Sequence, residues 1–179
     1  MNTLNIQSCP SPHYNERPAE ALIDLLVIHN ISLPPEQFGD DYIHQFFQGN
    51  LDCSIHPYFD TIKELQVSSH YLIDRTGKIF QFVDCRKRAW HAGVSSWQGR
   101  ENCNDFSIGI ELEGSDAIPY TKEQYQSLVI LTKQLQHEFP AITNQNIVGH
   151  CDIAPGRKTD PGEAFDWEYF HSLLTAGKL

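Results

Sequence analysis

The sequence predicts a mixed α/β fold in a single domain over residues 1–179 with an extended N-terminal arm over residues 1–20. Three observations carry this. Asp24-Leu25-Leu26-Val27-Ile28-His29 is a near-continuous apolar run, the pattern of a strand buried on both faces. Phe106 to Gly114 alternates strictly, with Ile108, Ile110 and Leu112 facing one way and Gly109, Glu111 and Glu113 the other. Thr121-Lys122-Glu123-Gln124 is a capping box, and Tyr125, Leu128, Leu131, Leu135 and Phe139 then recur at helical spacing to about Glu138. Strands and helices interleave along the chain, and 179 residues suffice for one sizeable core.

Cys9 to Ala19 is proline-punctuated and reads as extended arm. The strand ending at His29 is stopped by Leu33-Pro34-Pro35. Asp40 to Gln48 is a short helix with Tyr42, Ile43, Phe46 and Phe47 on one face, His44 off that face toward solvent, and Gly49 as the stop. Asn50 to Asp60 is loop-like, with His56-Pro57-Tyr58-Phe59 packing on the domain. Val67 to Asp74 and Lys78 to Val83 flank Arg75-Thr76-Gly77 and form a hairpin. The basic and aromatic segment Arg86 to Ser95 is either a solvated loop or a pocket wall. A short strand, Ile147 to His150, follows the long helix, and Asp166 to Leu174 is a last amphipathic helix.

A formal net charge of −10 excludes non-specific binding to a nucleic-acid backbone, which needs a basic surface. It leaves room for a local basic pocket. No run of about 18 apolar residues exists to span a membrane, and the N-terminal stretch has no apolar core of a secretion signal. Five cysteines without a Cys-x-x-Cys pair read as free thiols in a reducing compartment, so a cytoplasmic protein is expected.

The chemistry concentrates in Gly149 to Gly162. The apolar pair Ile147-Val148 delivers His150, and a Pro/Gly-rich loop carries Arg157, Lys158 and Asp160 back past it. His150 and Asp160 meet only if that loop folds back, as it does to hold a metal ion. A third ligand is then needed, and His29, at the end of a buried strand, is the candidate. Asp152 shares the parity of His150 and stands in reserve for Asp160. Cys151 points oppositely if the strand continues. Glu111 and Glu113 are equivalent by parity. Glycine at 109 on their face suggests that something approaches it closely.

Leu25 to Pro35, His56 to Phe59, Val67 to His70, Arg88 to Ser95, Cys103 to Gly114, Gly149 to Pro155 and Arg157 to Gly162 together resemble a known family. It is that of the zinc-dependent N-acetylmuramoyl-L-alanine amidases of the peptidoglycan-recognition-protein fold, and within it the cytoplasmic enzymes of cell-wall recycling. The resemblance covers nearly the whole chain and implies an α/β fold with a mixed central β-sheet flanked by helices. It implies that His29, His150 and Asp160 bind one Zn2+ per chain, that Glu111 is the acid/base residue, and that Lys158 faces the developing oxyanion. The implied reaction is hydrolysis of the amide joining the lactyl group of anhydro-N-acetylmuramic acid to L-alanine of a stem peptide.

Anhydromuropeptides are therefore the expected partners of a monomer. Trp90 suits stacking on a sugar and Asn30 hydrogen bonding to a peptide, while Arg86-Lys87-Arg88 could meet stem-peptide carboxylates. Tyr58, Ala89, Leu112 and His70 are further expected substrate contacts, His70 and His91 also being candidates to support the ligands from behind. The rivals are a non-catalytic peptidoglycan-binding protein, whose mark is a lost ligand, and an amidase acting on intact wall. Absence of His-Glu-x-x-His disfavours an unrelated zinc peptidase.

Overall fold

The computed structural model describes residues 4–176. Its centre is a six-stranded sheet made from β1 (Ile6–Ser8), β3 (Leu25–Ile31), β4 (Tyr71–Ile73), β5 (Ile79–Gln81), β9 (Ser107–Glu113) and β10 (Ile147–Gly149), in the order β1-β5-β4-β9-β3-β10. β3 lies between β9 and β10, parallel to both; β4 joins β9 in parallel and β5 antiparallel. The β4–β5 pair is the expected hairpin, and the sheet is mixed as the family resemblance implies.

The period of two along β3 and β9 divides the interior. Leu26, Ile28, Ile108, Ile110 and Leu112 face α3 (Lys122–Glu138) and α5 (Trp167–Thr175), in one cluster with Leu128, Leu131, Leu135 and Phe170. Burying each such aliphatic side chain stabilises the fold by ~1.5–3 kcal/mol. The opposite face carries Leu25 and Val27 against Ala92, Cys103 and Phe106, and then, at the carboxyl ends of the strands, the polar groups. α3 begins with the predicted box: Thr121 Oγ1 accepts from the Gln124 backbone N–H, and Gln124 Oε1 from that of Thr121.

A third cluster joins α1 (Tyr42–Phe47) and α2 (Pro57–Asp60) to Leu72, Phe80 and Phe82. His56 caps α2 through Nδ1, so part of the expected loop is a helical turn. His44 is not solvent-facing. Its ring packs edge-on against Phe80, with centroids 4.4 Å apart, and both ring nitrogens are buried without partners.

The N-terminal arm is extended but integrated: β1 edges the sheet beside β5, and β2 (Tyr14–Glu16) pairs antiparallel with β6 (Lys87–Ala89). Arg17 inserts its guanidinium beneath them, donating to the carbonyls of Cys85, Asn104, Asp105 and Ser107. Burial pushes it down to about 10. A small hairpin, β7 (Ser96–Trp97) and β8 (Arg100–Glu101), completes the strands. Among the described residues no helix is long and apolar enough to cross a membrane.

Candidate active site

Parallel pairing sets His29 directly across from Glu111, with Val27 across from Gly109. Paired residues of parallel strands point to the same face, so both functional side chains emerge beside each other at the carboxyl edge of the sheet. β10 ends at Gly149, and His150 opens a one-turn helix, α4 (His150–Ile153), rather than finishing the strand. The helix turns Cys151 away by helical, not strand, geometry. Asp152 is occupied as well, accepting from the Gly149 N–H at 2.7 Å, so it does not replace Asp160.

The loop after α4 does fold back. His29 Nδ1, His150 Nδ1 and Asp160 Oδ2 converge, separated by 2.9 Å between the two nitrogens and by 3.2 and 3.0 Å from each to the carboxylate. Both histidines are buried, and Asp160 is 13% exposed. His150 Nε2 lies 3.1 Å from the Ala92 carbonyl, which can only accept; the ring proton is thereby assigned to Nε2 and the Nδ1 lone pair faces inward. Asp160 Oδ2 is another acceptor. Even if His29 turned its proton inward, one proton would have to serve two acceptors.

A divalent cation would resolve that excess of lone pairs, and two imidazoles with one carboxylate are a donor set suited to zinc. Donors about 2.0 Å from a tetrahedral centre stand about 3.3 Å apart, within a few tenths of an ångström of the spacing here. Burial drives His29 down to about 4, against the opposing pull of Asp160, so the ring is neutral at pH 7. The neutral His29 ring thus has the protonation a metal ion requires of an imidazole donor.

Glu111 is 8% exposed and lines the same cavity, its Oε2 buried without a partner. Burial, then the charge of Asp160, raise its carboxyl well above the usual range, with Lys158 opposing. Glu113, its rival by parity, accepts from the backbone N–H groups of Gly39 and Arg75 and is committed to the fold. Arg157 donates to the carbonyls of Ala92 and Val94, whereas Lys158 makes no ion pair among the described residues and stands exposed on the cavity wall.

The cavity measures about 670 Å³. Asn30, Tyr58 and Trp90 line it, together with His91, Ser115 and Asp116. Asn30 is already engaged, its amide donating to Asp116 Oδ1 at 2.8 Å and to the Pro161 carbonyl at 3.1 Å. Trp90 donates to Asn15 and stacks on His13.

Three expected substrate contacts require correction. Leu112 is 1% exposed and faces the α3 cluster, Ala89 is fully buried in the α1–α2 cluster, and His70 is fully buried beneath the sheet edge, accepting from Gly109 N–H. No side chain of the three reaches the cavity. The basic run does not face it either: Arg86 pairs with Glu138, Lys87 with Glu16 and Arg88 with Asp105.

Asp116 carries no sequence signal, being a lone polar loop residue. Its carboxylate ties together Asn30 and Thr159, while the Pro161 carbonyl accepts from Asn30 and Tyr120. Gly162 makes this clamp possible, since a Cβ there would lie 2.1 Å from Asp116 Cα and its φ is +80°. The left-handed conformation alone costs a side chain about 1–2 kcal/mol. Gly162→Ala is expected to lower stability by more than that in urea unfolding, because the backbone of the Asp160 loop must also move.

Metal-type donors beside a buried, unpartnered carboxyl group, opening on a cavity, define a hydrolase-type site. The chain belongs to the N-acetylmuramoyl-L-alanine amidase family, whose profile matches residues 18–163. It is 59% identical over 164 residues to the 1,6-anhydro-N-acetylmuramyl-L-alanine amidase AmpD of Haemophilus influenzae, covering 92% of this chain and 89% of that one. To the AmpD of Escherichia coli the identity is 57%, over 93% and 90% of the two chains. A crystal structure of a selenomethionine AmpD derivative matches with a TM-score of 0.92 at 56% identity, over 95% of this chain and 94% of that one. The amidase AmiD from E. coli, solved with the substrate anhydro-N-acetylmuramic acid-L-Ala-D-gamma-Glu-L-Lys, matches with a TM-score of 0.63 at 32% identity, covering 90% of this chain and 65% of AmiD.

Proposed function

We propose that this chain, as one amidase domain over residues 1–179, hydrolyses the amide between the lactyl group of anhydro-N-acetylmuramic acid and L-alanine of the stem peptide. It does so with one zinc ion held by His29, His150 and Asp160. The observation that carries this reading is the convergence of three acceptor atoms beside the unpartnered Glu111 carboxyl, in a chain more than half identical to AmpD amidases. Zinc held there supplies Lewis acidity at neutral pH.

The chain's own groups do the rest. Glu111 takes a proton from the attacking water and returns it to the amide nitrogen, which leaves poorly unless protonated. Its raised affinity for a proton suits both halves of that transfer. Lys158 sets positive charge beside the carbonyl oxygen as it becomes an oxyanion. Trp90 and Tyr58 offer apolar ring surface to the sugar, and Asn30 and Asp116 shape the wall beside the peptide. Lys158→Met is expected to lower kcat by about 10²–10³-fold, the scale for losing one oxyanion-stabilising group, with bound zinc unchanged.

We infer further that the enzyme serves cell-wall recycling in the cytoplasm as a monomer. Five free cysteines support a reducing compartment. Incubation with anhydromuropeptides and, separately, with polymeric cell wall tests the substrate. Mass spectrometry is expected to show release of intact stem peptide from the small substrate. Preferential release from polymeric wall would redirect the reading to a wall-degrading amidase, and no release from either would leave a binding protein.

A further inference from the structure

His91 is buried, yet it sits directly behind the metal-type cluster. Its Nδ1 lies 2.9 Å from His29 Nε2, and its own Nε2 lies 3.1 Å from Ser107 Oγ. The two rings meet edge to face, their planes 88° apart. The backbone behind His91 is fixed too, because Asn104 Oδ1 accepts from the N–H groups of both His91 and Ala92.

Gly109 explains how the ring fits. It faces the same side of β9 as Ser107 and Glu111, and a Cβ built there would stand 2.6 Å from His91 Cγ and Nδ1. No side chain larger than hydrogen leaves the imidazole where it is. The close approach expected at Gly109 is therefore made by a residue of the chain itself.

An imidazole can present a lone pair on Nδ1 only when its proton is on Nε2, and an acceptor opposite Nε2 fixes that choice. We propose that His91 is a positioning residue for His29: it accepts the His29 Nε2–H, passes its own Nε2–H to Ser107 Oγ, and so directs the His29 Nδ1 lone pair into the cluster, with Gly109 admitting the ring. The acceptor is a neutral imidazole rather than the carboxylate or carbonyl usual behind a metal-bound histidine. The inference rests on the metal reading above.

Zinc affinity, measured by chelator competition on purified protein, tests it without reference to turnover. Asparagine places its Oδ1 where the imidazole holds Nδ1, whereas leucine fills similar space with no acceptor. His91→Leu and Gly109→Ala are expected to weaken zinc binding by about 10–100-fold, the scale for losing the partner behind a ligand, and His91→Asn to recover most of it. A residue that merely fills the core predicts the reverse order, since leucine suits a buried site better than an amide. Leucine binding zinc as tightly as asparagine, or Gly109→Ala binding it as tightly as the parent while folded by circular dichroism, would overturn the proposal. Failure of the parent protein to bind zinc would instead remove the metal reading, and this inference with it.

Discussion

Glu111→Gln is expected to lower kcat on anhydromuropeptide by about 10²–10⁴-fold, the range for losing a general acid–base group, while KM and bound zinc change little. Glutamine keeps the shape of the side chain but cannot carry the proton from water to the leaving nitrogen. The same substitution has a second, opposite consequence. Burial raises the Glu111 carboxyl well above its ordinary value, so in metal-free protein the folded state holds the proton more tightly than the unfolded state does. Stability from this group is complete below the unfolded value of 4.5 and declines as pH rises toward the folded one. Metal-free Glu111→Gln loses this dependence. It is expected to be the more stable protein at neutral pH and no more stable at pH 4, which paired urea titrations resolve. Equal stability at both pH values would contradict the account of the site as a place where folding energy is given up for chemistry.

Asp160→Ala carries the other large effect. It removes the one anionic donor of the cluster and leaves His29 and His150 facing each other at 2.9 Å. Two neutral rings hold zinc far less tightly than two rings and a carboxylate. Zinc is expected below one per chain after gel filtration, with kcat/KM down by about 10³-fold or more as several kcal/mol of transition-state stabilisation is lost. Circular dichroism should remain that of the parent, because the loop is also held by Asp116, Asn30 and Tyr120. Full zinc content in this variant would mean that the ion, if bound, sits elsewhere.

What the sequence discloses is governed by period and distance. A period of two reveals the faces of β9, and β3 is legible as a near-continuous apolar run, but the pairing of His29 with Glu111 joins strands about 80 residues apart and leaves no local pattern. The capping box of α3 is legible because its partners are three residues apart. Four-residue α4 has too few turns to leave a periodicity, so His150 reads as the end of a strand. Leu112 and Ala89 illustrate a different limit: a stretch can mark a site while its apolar side chains face the opposite layer. The partners of Arg17, Arg86 and Arg88 lie from 17 to 90 residues away, and such pairings leave no local pattern. Asp116 is invisible for the same reason. Gly109 is an intermediate case, where the missing side chain announces a close neighbour but not that the neighbour is His91.

The central claim is that one zinc ion, held by His29, His150 and Asp160, is required for amide hydrolysis. Its most direct test is to strip the purified protein with a chelator, measure metal content and anhydromuropeptide cleavage, and then titrate zinc back. The apoprotein is expected to be inactive and to recover full rate at one equivalent of zinc per chain. Undiminished turnover by metal-free protein, or recovery that needs two equivalents, would contradict it.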